Sequence, residues 1–373
     1  MKRRILFLVN HEVVIYNFRL ELVERLLQEG YEVLISSPDG GRIRVLEELG
    51  CTSIHTTMDR HGVSILQDLK LLLHYKKILK QHVPNVVLTY TIKPNIYGGI
   101  ACRMQKAPYV ANITGLGTAV EKAGLLQSFT SFLYKYALRN TQKVFFQNRE
   151  NQAFFEKKRI ALGKHGLLPG SGVNLTKFQP LEYPPDETIE FVFISRIMKE
   201  KGIDQYLEMS QVIKAKYPKT RFHICGFCEE AYENILKQLQ EKGTIQYHGM
   251  MKDVREIHQF THCTVLPSYH EGMANVLLEA AACVRPVLAS NVPGCRETFD
   301  EGVSGIGFVP RSVNSLVQAV ERFIALPYEE KATMGLAGRK KMEREFDRQI
   351  VVDAYMREIE NILEKNNKKD EKK

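Results

Sequence analysis

Short apolar runs alternate along this chain with longer segments whose apolar residues recur every three or four positions. Residues 4–9, 32–36, 86–89, 109–113 and 143–147 are apolar or β-branched and predict strands. Between them, 18–29 and 66–81 carry the helical period. This alternation predicts a parallel sheet covered on both faces. Pro169-Gly-Ser-Gly-Val-Asn174, Phe178-Gln-Pro180 and Pro184-Pro185 then crowd chain breakers into a connection. A second alternating unit follows, with strands predicted at 189–195, 222–225, 244–248, 263–267 and 286–289. Its helices fall at 203–217, 229–241 and 276–283, and 315 to about 364 is mostly helical. The fold class is α/β, with two similar units expected to face each other across a cleft.

Composition narrows the classes. A length of 373 residues and 44% hydrophobic content suit two globular cores. No run approaches the roughly 18 apolar residues of a membrane span. Lys2-Arg-Arg followed by Ile5-Leu-Phe-Leu-Val9 imitates a secretory leader, but the apolar part stops at Asn10-His11-Glu12. A buried first strand fits better, and the chain is expected to stay in the cytoplasm. The net charge of +9 and pI near 9.0 favour anionic partners. No nucleic-acid motif is present, which leaves phosphorylated substrates and an acidic membrane surface. Seven scattered cysteines suit a reducing compartment. Cys225-Gly-Phe-Cys228 lacks the second pair that zinc would need and falls where a nucleotide-binding turn would lie. His258 and His262 have no third ligand and are expected to be structural. The tail, 365–373, is polar and expected to be disordered.

The densest chemistry is Ser268-Tyr-His-Glu271-Gly272-Met273-Ala274-Asn275-Val-Leu-Leu-Glu279. Glu271 lies on the connection after a strand, where open α/β sheets place ligands. Glu279 lies about 6 Å along the following helix. Backbone N–H groups from Gly272 to Asn275 are expected to form an anion site. One carboxylate beside that site and one behind it suit a nucleotide-sugar. Ser195-Arg196-Ile-Met-Lys199-Glu-Lys201-Gly202 follows the first strand of the same unit. Its cations either stabilise a departing diphosphate or form a solvated basic loop. There is no Asp-x-Asp pair of the kind that holds Mg²⁺ or Mn²⁺ on nucleotide-sugars, so no metal is expected. Gly226 and His248 mark two further strand-end turns suited to nucleotide contact. Asp253 suits the same contact or a helix cap. Asn291-Val-Pro-Gly294-Cys-Arg296-Glu297 is read either as a structural turn or as a substrate contact.

In the first unit, Lys93-Pro94-Asn95 and Asn112-Ile-Thr114-Gly115-Leu-Gly117-Thr118 are polar, glycine-bearing strand ends suited to an acceptor. The stretch 121–139 places apolar and aromatic residues at helical spacing beside basic ones. It is read either as a core helix or as an amphipathic helix lying on an anionic membrane.

Together these motifs resemble the family-four retaining glycosyltransferases of GT-B fold. The resemblance is strongest from about 189 to 305 and rests on Glu271-x7-Glu279, on Arg196 with Lys201, on Pro267-Ser268 and on the turns from Pro286 to Glu297. Tyr90-Thr-Ile-Lys93-Pro-Asn-Ile-Tyr97-Gly98 and Asn112-Ile-Thr-Gly-Leu-Gly117 resemble those of transferases extending undecaprenyl-diphosphate-linked glycans of capsule, O-antigen and glycoprotein. The resemblance implies two Rossmann-like domains: 1–168 for the acceptor, joined by a returning helix at about 346–364, and 169–345 for the nucleotide-sugar. It implies that Arg196 and Lys201 bind the diphosphate, Glu279 the ribose and Glu271 the transferred sugar. It implies a UDP-sugar donor, no cofactor and a lipid-linked saccharide acceptor, while the net charge and the 121–139 stretch carry the expectation of peripheral attachment to the inner membrane face. Val9-Asn10-His11-Glu12 stands where many relatives have a glycine pair, and Asn112-Ile-Thr114 where many have a histidine. A UDP-N-acetylglucosamine 2-epimerase-like enzyme and an inactive sugar-nucleotide-binding partner remain the alternatives.

Overall fold

The computed structural model of the chain describes residues 2–58, 64–115 and 124–370. These form two compact units, Met1–Ser171 with Gln349–Lys373, and Gly172–Arg348.

The first unit holds a seven-stranded parallel sheet, β1 (Arg4–Leu8), β2 (Glu32–Ser37), β3 (Thr52–His55), β4 (Val86–Tyr90), β5 (Tyr109–Ile113), β6 (Lys143–Phe146) and β7 (His165–Leu167), in the order β3-β2-β1-β4-β5-β6-β7. Arg-Ile-Leu-Phe-Leu reads as an unbroken apolar run because both sides of β1 are covered. Ile5 and Phe7 enter the core on one side, and Leu6 and Leu8 the core on the other. The first of these cores is completed by the helix Arg348–Asp370, which contributes Val352, Tyr355, Met356, Ile359, Ile362 and Leu363. Their three- and four-residue spacing gives that helix a continuous apolar stripe.

The second unit holds a six-stranded parallel sheet, β8 (Ile189–Ile194), β9 (Thr220–Cys225), β10 (Gln246–Tyr247), β11 (Cys263–Leu266), β12 (Val287–Ser290) and β13 (Gly305–Phe308), in the order β10-β9-β8-β11-β12-β13. The strand order reverses between β8 and β11, which pair directly through Cys263 with Phe191 and Thr264 with Val192. Loops leaving the carboxyl ends of these two strands therefore diverge and leave a crevice.

Three strands were not legible in the sequence. β3 is Thr-Ser-Ile-His at a sheet edge, β7 is three residues long, and β13 is Gly-Ile-Gly-Phe. Edge position and glycine both remove the apolar alternation that marks a strand. The helix expected over 18–29 is Leu20–Gln28, and a short helix not expected from sequence, Val13–Phe18, precedes it across a break at Arg19. The Arg19 guanidinium is buried between the rings of Tyr90 and Tyr355, 5.3 Å from each centroid. The tail also departs from expectation, since the last helix runs on to Asp370. Lys, Glu and Asn are compatible with a helix that is already nucleated, so polarity there does not mean disorder.

Candidate active site

The two switch-point loops meet through one ion pair. Lys201 ends the loop after β8, and its Nζ donates to Glu271 Oε1 at 2.6 Å. Ser268 Oγ donates to the same oxygen at 2.8 Å. Both charged side chains are about 15% exposed, at 15% and 14%. Glycines make the approach possible. Gly202 has φ +76°, and a Cβ there would lie 2.0 Å from Pro267 O. Gly294 has φ +79°, and a Cβ there would lie 2.7 Å from Glu271 O. The Gly294 turn clasps the Glu271 loop from the other side, with Gly294 O accepting from Ala274 N at 2.7 Å. Glu297 Oε2 in turn accepts from Gly294 N at 2.7 Å. Of the two readings of that turn, the structure shows the structural one for Glu297, while Arg296 remains half exposed.

Two expectations about the anion site need correction. Ala274 N is used by Gly294 O, and Asn275 N by Met273 O at 3.0 Å, so the N–H groups of those two residues serve the loop itself. Met273 and Ala274 are buried, with the Met273 side chain in an apolar cluster with Leu278 and Phe346. Their contribution is packing that fixes the start of the helix Asn275–Ala282. Gly272 stays at the loop's partly exposed edge, whereas the side-chain oxygen of Asn275 is buried.

Arg196 does not join the Lys201–Glu271 pair. Its Nη1 donates to Glu229 Oε2 at 2.5 Å, on the turn after β9. Lys199 N donates to Glu230 Oε2 at 2.9 Å, tying the same two turns together. Gly226 belongs to this tie. A Cβ there would lie 1.8 Å from Ser195 O, and Gly226 N donates to Gly249 O at 2.8 Å. Gly226 thus has a packing role, and its turn adjoins the His248 loop. His248 Nε2 meets His223 Nδ1 at 3.0 Å, and His223 Nε2 meets Glu190 Oε2 at 2.7 Å. Burial and the neighbouring His223 push the His248 pKa down. Asp253 precedes the N-cap, Val254, of its helix and accepts from Arg255 N at 3.0 Å, and its pKa is pulled down to about 2 by the Arg255 guanidinium.

Glu279 stands apart electrostatically. Among the described residues, its carboxylate has no ion-pair partner within 4 Å. Desolvation raises its pKa to about 7, against the more distant pull of Arg348 and Lys177. A partly buried carboxylate with unfilled acceptor capacity is suited to hydroxyl donors from a ligand. Neither Arg348 nor Lys177 was found from sequence. Arg348 lies 69 positions from Glu279, and only the fold brings the two near each other.

In the first unit, the side chains of Asn95 and Asn112 are engaged within the fold. Both are buried. Asn95 Nδ2 donates to Asn112 O at 2.7 Å, and its Oδ1 accepts from Thr89 Oγ1 at 2.6 Å. Asn112 Nδ2 donates to Thr89 O at 3.1 Å, and Tyr355 OH donates to Asn112 Oδ1. The two amides stitch the ends of β4 and β5 to the last helix, because buried polar groups need partners. Lys93 pairs with Asp68 at 2.9 Å, and Tyr97 OH donates to the same carboxylate at 2.8 Å. Thr114 and Gly115 sit partly exposed beyond β5, with open space around Gly115. Gly117, Thr118 and Glu121 lie outside the described residues.

The cysteines form no site, since Cys225 Sγ faces Met251 Sδ at 3.3 Å and Cys228 faces the Tyr247 hydroxyl at 4.0 Å. His258 and His262 are buried, and desolvation pushes them down to about 3 and about 4. Among the described residues, no three His, Cys, Asp or Glu side chains are grouped to hold a metal ion.

Residues 177–341 match the family described as glycosyl transferases group 1, and residues 4–148 the family described as glycosyl transferase 4-like. The chain belongs to the group 1 glycosyltransferases. It is an enzyme of GT-B fold that transfers a hexosyl group. It is 24% identical to a Campylobacter jejuni N,N'-diacetylbacillosaminyl-diphospho-undecaprenol α-1,3-N-acetylgalactosaminyltransferase, over 96% of this chain and 99% of that one. It is also 24% identical to an Escherichia coli UDP-Gal:α-D-GlcNAc-diphosphoundecaprenol α-1,3-galactosyltransferase, over 81% and 83%. Among solved structures, a Rickettsia africae glycosyltransferase superposes with a TM-score of 0.80 at 18% identity, covering 97% of this chain and 99% of that one. Anabaena HepE in complex with UDP and glucose superposes with a TM-score of 0.77 at 17% identity, covering 95% and 98%.

Proposed function

We propose that this glycosyltransferase moves a hexose or N-acetylhexosamine from a UDP-sugar to a lipid-diphosphate-linked saccharide, with retention and without a metal, in the assembly of a cell-surface glycan. The Lys201–Glu271 pair at the β8/β11 switch point, with Glu279 on the helix that follows the Glu271 loop, carries this reading. Two relatives whose names specify diphosphoundecaprenol-linked substrates support the acceptor class.

In this account Glu279 accepts hydrogen bonds from the ribose hydroxyls, and Glu271 positions the transferred sugar. Lys201 Nζ has three donors and spends one on Glu271, so the others can neutralise the departing diphosphate. Arg196 joins it by exchanging Glu229 for a phosphate oxygen. The bond between the anomeric carbon and the diphosphate oxygen breaks, and a bond to the acceptor oxygen forms on the same face. The acceptor's proton passes to the leaving diphosphate, so neither glutamate acts as nucleophile.

The helix Leu125–Ala137 supports peripheral attachment at the inner membrane face. Leu125, Phe129 and Phe132 are 92%, 59% and 64% exposed, whereas Thr130 and Ser131 are buried. Tyr134 and Ala137 are also buried, so the helix leaves an apolar and aromatic stripe uncovered besides the one it packs inward. Lys135 and Arg139 lie close by in sequence. Among the described residues, no helix is long and apolar enough to cross a membrane. Co-sedimentation with anionic liposomes that weakens as salt rises is the expected result. Salt-independent binding, or none, would remove the electrostatic anchor.

The reaction is tested by offering UDP-sugars with a lipid-diphosphate saccharide and reading products by mass spectrometry. Isomerisation of the donor without an acceptor would instead indicate an epimerase.

A further inference from the structure

A cavity of about 660 Å³ opens at the carboxyl end of β3 in the first unit, lined by residues that include His55, Asp68, Lys70, His74 and Lys93. Its polar groups are ordered. Lys93 Nζ and the Tyr97 hydroxyl hold Asp68, at 2.9 and 2.8 Å. His74 Nε2 lies 3.2 Å from His55 O and 3.1 Å from Thr56 Oγ1, and His55 Nδ1 lies 2.8 Å from Asp39. Asp68 and Asp39 are thus engaged, while Lys70 is exposed at the cavity wall. The helix Ile65–His82 forms that wall with Gln67, Lys70, Leu71 and His74, which share one face at three- and four-residue spacing.

The adjacent face of the same helix is apolar and uncovered. Ile65, Leu66, Leu69 and Leu73 are 86%, 73%, 50% and 55% exposed. Lys76, Lys77 and Lys80 continue that stripe toward the helix end. One helix therefore borders a polar recess, with Lys70 exposed at its wall beside the Lys93–Asp68 pair, on one side and a lipid-compatible surface on the next. A lipid bearing a diphosphate has the same two parts in the same proximity. We propose that this cavity holds the diphosphate of the lipid-linked acceptor, and that the lipid chain leaves along the Ile65–Leu73 stripe. The inference rests on the acceptor class proposed above and adds where that acceptor is gripped.

The test uses the full chain with UDP at saturation, so that the donor site is closed to the probe. Inorganic pyrophosphate is titrated calorimetrically, and sedimentation is measured with neutral vesicles carrying a polyprenyl diphosphate or an anionic phospholipid at equal charge. Lys70→Glu, at an exposed position, and His74→Gln should each weaken pyrophosphate binding at least tenfold and leave UDP binding unchanged. Leu69→Ser with Leu73→Ser should keep pyrophosphate binding and lose the preference for polyprenyl diphosphate vesicles. Unchanged pyrophosphate affinity in both cavity variants overturns the proposal. So does equal sedimentation of the native chain with the two vesicle types, which would mean attraction to an anionic surface only. If the native chain shows the predicted binding pattern but transfers no sugar to the lipid acceptor, the acceptor reaction falls and the diphosphate site stands.

Discussion

Replacing Glu279 with glutamine should strengthen the fold and weaken the enzyme. Burial holds its carboxyl pKa near 7 rather than its ordinary 4.5. Because the folded value lies above the unfolded one, the folded state binds the proton more tightly. The associated stability is fully present below about pH 4.5 and is lost as pH rises through about 7. The full difference corresponds to about 3 kcal/mol. Partial exposure of the side chain reduces this to about 2 kcal/mol. In a domain of this size that is roughly 4–8 °C in melting temperature. Glu279→Gln removes the titrating group, so the variant should melt above the native chain at pH 8 and near it at pH 4.5. An ionised carboxylate bonded to ribose hydroxyls contributes about 1.5–3 kcal/mol, so UDP affinity should fall roughly 10- to 100-fold. Differential scanning fluorimetry between pH 4.5 and 8, paired with UDP calorimetry, measures both. The same pH slope in variant and native chain would refute the electrostatic argument. Unchanged UDP affinity would refute the ribose role.

Glu271→Gln should reduce transfer by at least a hundredfold and keep the fold, because the amide still accepts from Lys201 and Ser268. Glu271→Ala would leave Lys201 buried without its partner and should lose about 1–3 kcal/mol besides, measurable by urea unfolding. Gly202→Ala should destabilise the second unit by more than about 3 kcal/mol, since its Cβ would meet Pro267 O at 2.0 Å. A near-native urea midpoint would show that the loop yields. Asn112→Ala should lower the melting temperature and leave the acceptor KM of the surviving enzyme within about twofold; a selective rise in KM would restore Asn112 to the acceptor site. EDTA should leave the transfer rate unchanged, and a strict Mn²⁺ requirement would refute the metal-free reading.

The sequence disclosed the second unit's chemistry better than the first's. Glu271 and Lys201 follow strands whose apolar runs are long enough to locate, so their meeting at a switch point fits βα alternation, and Glu279 lies on the helix after the Glu271 loop. Arg196 was equally visible, but Glu229 lies 33 positions away, and no local spacing announces a pair at that separation. Asn95 and Asn112 show the opposite case. A polar residue at a strand end looks like a ligand contact, yet these two satisfy buried backbone of β4 and β5 and the hydroxyl of Tyr355 from the last helix. Burial separates the two cases, and burial is a property of the assembled sheet. The helix at Leu125–Ala137 was ambiguous for a related reason. Its period was legible, but its direction was not, and the structure turns the aromatic face outward.

The central claim is sugar transfer from a UDP-linked donor to a lipid-diphosphate saccharide. Its most direct test is the mass of that acceptor after incubation with the purified enzyme and each UDP-sugar in turn. The account predicts growth of the acceptor by a single hexose or N-acetylhexosamine residue with one donor, released UDP in equal amount, and no growth with Glu271→Gln. An acceptor of unchanged mass with every UDP-sugar would contradict it.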